Sequence, residues 1–144
     1  MFGDYPPDRE NTRGARWNPP DTPAIYTSLS RAGALAEAEH QLAVQPVRPR
    51  VSRRNIYTLA ISLHGLLELT SPELLASVGV TAVELGADDM TVCQSVGGAA
   101  AWLNADGLLV LSARSEAINL VIFPSNLPLD SALEVVSQED VGAD

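Results

Sequence analysis

Two short apolar segments in the second half of the chain constrain its fold more than any other feature. Leu108–Leu111 is followed by Ser112, and Asn119–Phe123 is followed by Pro124. Fully apolar runs of this length, bounded by polar or turn residues, are typical of strands in a protein core. The sequence therefore predicts two core strands, each with a polar side chain at one end, Ser112 for the first and Asn119 for the second.

The other elements are short and irregularly mixed along the chain. Ser30 and Ser71 are suitable N-caps, and Pro72 favours the first turn of a helix. The further predicted elements are strands at 24–28, 56–63 and 132–137 and helices at 31–42, from 71 to 79, and from 88 or 89 to about 103. Because few helices lie between strands as crossovers, we expect an α+β fold: one compact domain with a mostly antiparallel β core and about three helices.

Composition places the chain among ordinary globular domains. Its 144 residues suit a single domain with a substantial core, and 46% of them are hydrophobic. We find no apolar run of membrane-spanning length and no secretory signal at the start. The lone cysteine, Cys93, excludes an internal disulfide and is typical of a reducing compartment, so the sequence predicts a cytoplasmic protein that does not bind membranes.

The net charge of −9 is unevenly distributed. Residues 1–60 contain eight Arg and six acids (+2), whereas residues 61–144 contain one Arg and twelve acids (−11). An acidic domain is poorly suited to non-specific nucleic-acid binding, so we expect no direct nucleic-acid contact, although the first half could hold a small anion. The Arg48–Arg54 cluster is predicted to be a solvated loop, with partner docking or phosphate binding left open.

Several side chains are candidates for a binding or catalytic site. Arg16 lies in a proline-bounded loop beside Trp17 and Asn18, where a guanidinium could clamp a diphosphate and an indole could stack on a ring. The alternative is an Arg on the surface and a Trp in the core. Tyr26, in an apolar strand, has a similar alternative as a core tyrosine.

Glu37 is more informative, because its helix neighbours are apolar or small. A carboxylate beside a buried stripe is costly unless it is paired or functional. His40, three residues later, has no second histidine with which to form a metal site, so no metal is predicted. Ser112 lacks a nucleophile motif, and the sequence contains no P-loop, dinucleotide-binding glycine motif or C-x-x-C.

Several short sequence blocks resemble the RES domain family, which is named for its Arg, Glu and Ser, and they occur in the same order as in that family. They are G-A-R-W-N-P-P, P-A-I-Y-T-S-L-S, A-L-A-E, C-Q-S-V-G-G-A-A-A-W-L, G-L-L-V-L-S-A-R and N-L-V-I-F, which together span about residues 14 to 123. The family positions fall on Arg16, Tyr26, Glu37, Ser112 and Asn119. Two departures are Leu111, where the family commonly has Pro, and a preceding segment of only 15 residues before Arg16.

The resemblance implies a fold related to the ADP-ribosyltransferase toxins and NAD as substrate. It implies a toxin of a bacterial toxin–antitoxin pair that cleaves the nicotinamide–ribose bond by hydrolysis or phosphorolysis, without a cofactor and with inorganic phosphate as a candidate co-substrate. Its implied partner is an antitoxin with an Xre-like helix-turn-helix domain; homo-oligomerisation is left open. The alternatives are ADP-ribosyl transfer to a protein and a non-catalytic binding module.

Under this resemblance the predicted catalytic residues are Arg16, Tyr26, Glu37, Ser112 and Asn119, and Arg16, Trp17, Asn18 and Tyr26 are predicted to bind the substrate. The catalytic domain is predicted to span 14–137, between an N-terminal arm at 1–13 and an acidic tail at 138–144.

Overall fold

A computed structural model describes residues 9–43, 55–113, 116–128 and 133–140, without the side chains of 38–43. The predicted Arg48–Arg54 loop and the first eight residues of the predicted N-terminal arm lie outside the described residues. The elements, in chain order, are β1 Ile25–Ser28, α1 Arg31–Ala43, β2 Asn55–Ala60, β3 Leu66–Leu69, α2 Pro72–Ser77, α3 Ala82–Gly86, α4 Thr91–Trp102, β4 Gly107–Leu111, β5 Ile118–Ile122, a single 3-10 turn Pro124–Asn126, and β6 Glu134–Asp140.

The core sheet has the strand order β1-β5-β4-β3. Strand β5 pairs antiparallel with both β1 and β4, and β3 pairs parallel with β4. The two apolar segments near the Ser112 and Asn119 side chains form its centre as β4 and β5, where Leu108 and Val121 are fully buried. The prediction of two core strands is therefore confirmed.

A crossover of three helices joins the parallel pair β3 and β4, which the sequence did not indicate. Ser71 caps α2 as predicted, since its side chain accepts a hydrogen bond from the Leu74 amide. The short helix α3 was not predicted; it begins with a capping box in which Thr81 and Glu84 each bond the other's backbone amide. Asp89 accepts bonds from the amide and hydroxyl of Thr91 before α4, and these bonds lower the pKa of its carboxyl.

A second, two-stranded sheet pairs β2 with β6 in antiparallel register. Strand β6 extends to Asp140, beyond the predicted strand end at Ser137. An exposed ion pair, Arg31 Nε to Glu139 Oε2 at 2.8 Å, connects the start of α1 to this sheet. Such a pair adds little stability, because both side chains remain hydrated.

Both helices and strands contribute residues to the hydrophobic core. The helical crossover contributes Leu75 and Cys93, the sheet contributes Leu69, and Trp17 and Phe123 add large aromatic side chains. The α+β architecture with mostly antiparallel strand pairing is as predicted, with four α-helices in the described part of the chain instead of about three. No helix within that part is long and apolar enough to span a bilayer.

Candidate active site

The loop that carries Arg16 is held by a hydrogen-bond network around Asn18. The Asn18 side chain is fully buried and donates to the carbonyls of Asn11 and Thr22, at 3.2 and 2.7 Å. Its Oδ1 accepts a hydrogen bond from the Tyr26 hydroxyl at 2.5 Å. A short antiparallel bridge between Asn11 and Ala24 closes the loop against the chain leading into β1. The side chain of Asn18 is thus fully occupied by the loop and by Tyr26.

Tyr26 holds the same loop from the strand side. Its hydroxyl accepts a hydrogen bond from the Trp17 amide at 2.9 Å while donating to Asn18. The residue as a whole is 37% exposed, but its hydroxyl contacts two buried residues. Burial raises the pKa of Tyr26 to about 12, against the lowering effects of the Trp17 and Asn18 bonds and of the Arg16 charge. The phenol therefore stays protonated at neutral pH and acts as a fixed donor.

Helix α4 supports the loop from the other side. Gln94 Nε2 donates to the Ala15 carbonyl at 3.0 Å. Gly97 faces the Trp17 backbone so closely that a Cβ there would overlap the Trp17 carbonyl oxygen. The absence of a side chain at Gly97 thus permits the close packing of α4 against the loop.

Arg16 lies at the contact between this loop and α3. Its Nη1 donates to the Glu84 carbonyl at 3.3 Å. Burial raises the pKa of the neighbouring Cys93 thiol, and the Arg16 charge opposes that rise. One guanidinium carries five N–H donors, so the bond to Glu84 leaves most of them for a ligand.

Glu37 projects from α1 toward the ends of β4 and β5. Its Oε1 accepts hydrogen bonds from Ser112 Oγ at 3.0 Å and from Asn119 Nδ2 at 3.3 Å. Ser112 is 7% exposed and directly follows β4, while Asn119 lies near the start of β5. The structure therefore brings together three predicted site residues, although Ser112 and Asn119 lie 75 and 82 positions after Glu37 in the chain.

A cavity of about 930 Å³ connects the Arg16 loop with Glu37. It includes five of the predicted site residues, Arg16, Trp17, Tyr26, Glu37 and Asn119. Trp17 is only 3% exposed, so most of its indole packs in the core. Asn18 does not line the cavity, because its side chain is enclosed by the loop. Ser112 is also absent from the wall and acts on the cavity through Glu37.

Other residues that build the site were not predicted. Arg9 and Arg13 line the cavity, and Asn11 and Gln94 hold the Arg16 loop. Gln94 lies in the C-Q-S-V-G-G block, which was a usable signal, whereas nothing in the sequence distinguishes Asn11 from a surface residue. Among the residues that the structure describes, no group of three His, Cys, Asp or Glu is arranged to hold a metal ion.

A loop with arginines and an oriented carboxylate share one cavity, and this arrangement has the form of a small-molecule site. The RES domain model matches residues 3–144, and the chain belongs to the RES domain family.

Its relatives include proteins named NAD(+) phosphorylase MbcT from Mycobacterium bovis and from two strains of Mycobacterium tuberculosis. Each is 33% identical over 106 residues, covering 69% of this chain and 56% of the relative. The chain thus spans little more than half the length of these proteins. The toxin–antitoxin complex MbcT–MbcA of M. tuberculosis contains a chain with the same fold, at a TM-score of 0.82 and 24% identity, over 97% of this chain and 80% of that one.

Proposed function

We propose that this chain is the NAD-cleaving domain of a toxin from a bacterial toxin–antitoxin pair, and that inorganic phosphate accepts the ADP-ribosyl group. The observation that carries the proposal is the Glu37 carboxylate, fixed by Ser112 and Asn119 on the wall of the large cavity. The cavity volume lies in the upper part of the range for small-molecule sites. Relatives named NAD(+) phosphorylase support both the substrate and the acceptor.

Glu37 would act on the ribose next to the bond that breaks. The bond between ribose C1′ and the nicotinamide nitrogen breaks with its electron pair moving to the nitrogen, so that nicotinamide leaves as a neutral molecule. The ribose then carries oxocarbenium character until a phosphate oxygen bonds to C1′. A carboxylate that is already oriented stabilises that charge without reorganising. The two hydrogen bonds at Oε1 supply this orientation.

Arg16 would bind the diphosphate, since an arginine fork matches phosphate oxygens and most of its donors are free of Glu84. The Tyr26 hydroxyl is occupied by Trp17 and Asn18, so its ring face is the part that would contact nicotinamide. Trp17 and Asn18 would contribute by holding the loop in place. The reaction would use no cofactor.

The proposed partner is an antitoxin protein with an Xre-like helix-turn-helix domain. The shared fold with a chain of the MbcT–MbcA toxin–antitoxin complex supports this partner. The proposed compartment is the cytoplasm, where a lone buried thiol such as Cys93 stays reduced.

The first experiment incubates the purified chain with NAD, with and without inorganic phosphate, and follows nicotinamide release. We expect release that depends on phosphate, with ADP-ribose phosphorylated at that C1′ as the second product. Release of free ADP-ribose at the same rate without phosphate would replace phosphorolysis by hydrolysis. A folded sample that releases no nicotinamide would contradict catalysis and favour a binding module.

Glu37→Gln tests the assigned carboxylate. The amide keeps the shape of the side chain but loses the charge that would stabilise the ribose, so we expect nicotinamide release to fall by about 100- to 1,000-fold. Glu73→Gln, on the exposed first turn of α2, is the matched control and should release nicotinamide like the wild type. Circular dichroism and thermal melting check that both variants fold. Full turnover in Glu37→Gln would contradict the assignment.

A further inference from the structure

The guanidinium of Arg16 shares its cavity with carboxylates but pairs with none of them. Its Nη1 donates to the backbone carbonyl of Glu84 at 3.3 Å, and no carboxylate of the residues that the structure describes forms an ion pair with it. A carboxylate within reach would be the stronger acceptor, because a bond between two charged groups is stronger than a bond to a neutral carbonyl. The charge of Arg16 is therefore left for a ligand.

The acid whose backbone Arg16 contacts has its own side chain bound elsewhere. Glu84 Oε1 accepts a hydrogen bond from the Thr81 amide at 3.0 Å, and the Glu84 amide donates to Thr81 Oγ1 at 3.2 Å. This reciprocal pair is the capping box at the start of α3. The two ends of Glu84 thus have different partners: its carbonyl meets Arg16, and its carboxylate is held by the first turn of the helix.

The Cys93 thiol shows that the Glu84 carboxylate is still near Arg16. Cys93 Sγ lies 3.9 Å from the same Glu84 carbonyl oxygen to which Arg16 donates. Burial raises the pKa of this thiol, the Arg16 charge opposes the rise, and the Glu84 charge adds to it. Because one thiol lies within range of both charges, a Glu84 side chain released from Thr81 would have Arg16 within its reach.

We propose that the capping box of α3 keeps the Glu84 carboxylate away from Arg16, so that the guanidinium meets an anionic ligand with its full charge. Neither Thr81 nor Glu84 lines the cavity, so both are positioning residues that act through Arg16. The identity of the ligand group as the diphosphate of NAD rests on the proposed function. Without the box, the carboxylate would compete with phosphate oxygens for the same N–H donors.

Thr81→Val opens the box while nearly keeping the size of the side chain. The probe is carbocyclic NAD, which is not cleaved because a methylene replaces the ring oxygen of the ribose next to the nicotinamide, and titration calorimetry gives its affinity. We expect Thr81→Val to bind about 3- to 10-fold more weakly, because the released Glu84 carboxylate pairs with Arg16. Ser71→Ala removes the cap of α2 outside this cavity and, as the control, should bind like the wild type. Unchanged binding in Thr81→Val would overturn the proposal.

A second substitution separates the effect of charge from the loss of a helix cap. In Thr81→Val combined with Glu84→Gln, no carboxylate is left at this position to pair with Arg16, so the affinity should return to within about twofold of the wild type. A purely structural role predicts the opposite, because this double variant lacks both the Thr81 hydroxyl and the Glu84 carboxylate of the box. If the double variant binds as weakly as Thr81→Val, the proposal is wrong. Thermal melting checks that each variant is folded at the assay temperature.

The same substitution in an Arg16→Gln background shows whether the carboxylate acts through Arg16. Without the guanidinium the released carboxylate has no partner there, so Thr81→Val should weaken binding by less than about twofold. An undiminished effect would mean that the carboxylate repels the ligand directly, which would overturn the role assigned to Arg16.

These affinities do not depend on turnover, so they separate the capping box from the reaction. If the expected pattern appears but NAD releases no nicotinamide, the proposed function fails and the role of the capping box stands. If nicotinamide is released but the pattern is absent, only the role of the capping box fails. Failure of the wild type to bind carbocyclic NAD would also overturn that role, because it requires an anionic ligand at Arg16.

Discussion

At the scale of single residues, Tyr26 shows how one side chain can serve a site without offering its reactive group. Its hydroxyl is bonded on both sides by the Arg16 loop, to the Trp17 amide and the Asn18 amide oxygen. The phenol therefore fixes the position of the loop while its ring remains partly exposed. Under the proposed function, a loop held by such bonds keeps the Arg16 guanidinium in position for the diphosphate.

The raised pKa of Tyr26 can be tested directly. The pKa rises from the ordinary value of 10.0 to about 12 in the folded chain. The stability linked to this group is therefore fully present below pH 10 and is lost as pH rises toward 12. An alkaline titration followed by phenolate absorbance should show a late step near pH 12, and Tyr26→Phe should lack that step. A titration curve unchanged by the substitution would show that the late step belongs to another residue.

The sequence located the catalytic candidates better than it described their surroundings. Glu37 stood out because a carboxylate on an apolar helix face needs a partner, and Ser112 and Asn119 stood out as polar ends of apolar strands. The structure places all three in hydrogen-bond contact, although their catalytic roles remain predictions. The enclosure of Asn18 could not be foreseen, because it depends on carbonyls of Asn11 and Thr22 that only the folded loop brings together.

At the scale of elements, helix α4 is the support of the Arg16 loop. Gln94 bonds the Ala15 carbonyl, and Gly97 allows the helix backbone to lie against Trp17. The loop residues on either side of Arg16 thus depend on one face of one helix. Any change that moves α4 away from the loop also moves Arg16.

Gly97→Ala tests this contact. The added methyl would overlap the Trp17 carbonyl, so we expect a loss of about 1–3 kcal/mol in the free energy of unfolding and weaker NAD binding. The measurements are urea unfolding and titration with carbocyclic NAD. Gly86→Ala, at the end of α3, meets nothing within 4 Å and serves as control. Equal stability of Gly97→Ala and the wild type would mean that the helix and loop are less tightly packed than described.

The elements that the sequence missed are short and depend on distant contacts. Strand β3 has the sequence L-L-E-L, whose residues favour helices as readily as strands, and it is fixed by pairing with β4 about 40 residues later. Helix α3 has only five residues, yet Thr81 and Glu84 have the spacing of a capping box and could have indicated it. The apolar strands β4 and β5 needed no such context, because their continuous apolar sequence alone indicates a buried strand.

At the scale of the whole molecule, the uneven distribution of charge along the chain affects which ligands the molecule can bind. The net charge is −9, and the arginines are concentrated before residue 60, where Arg9, Arg13 and Arg16 line the cavity. The same wall also carries the carboxylates of Glu10, Glu37 and Asp88, so the arginines offer local contacts to a small anion, while the acidic surface disfavours the approach of a long polyanion.

We therefore expect the isolated chain not to bind DNA. In an electrophoretic mobility assay at low salt, a duplex of random sequence should remain unshifted at protein concentrations up to about 10 µM, where non-specific binders begin to associate. A basic DNA-binding protein of similar size is the positive control. A shifted complex that dissociates as salt is added would show that the arginine-rich segments bind DNA despite the net negative charge of the chain.

The distance along the chain between Glu37 and its two hydrogen-bond donors has a consequence during synthesis. A chain still emerging from the ribosome contains Arg16, Tyr26 and Glu37 long before Ser112 and Asn119 exist. Until the strand that bears Asn119 has been made and has paired with β1 and β4, the two hydrogen bonds that hold the Glu37 carboxylate cannot both form. Under the proposed function, nascent chains and fragments that end before Asn119 would be harmless to the cell, and toxicity would begin only with the completed fold.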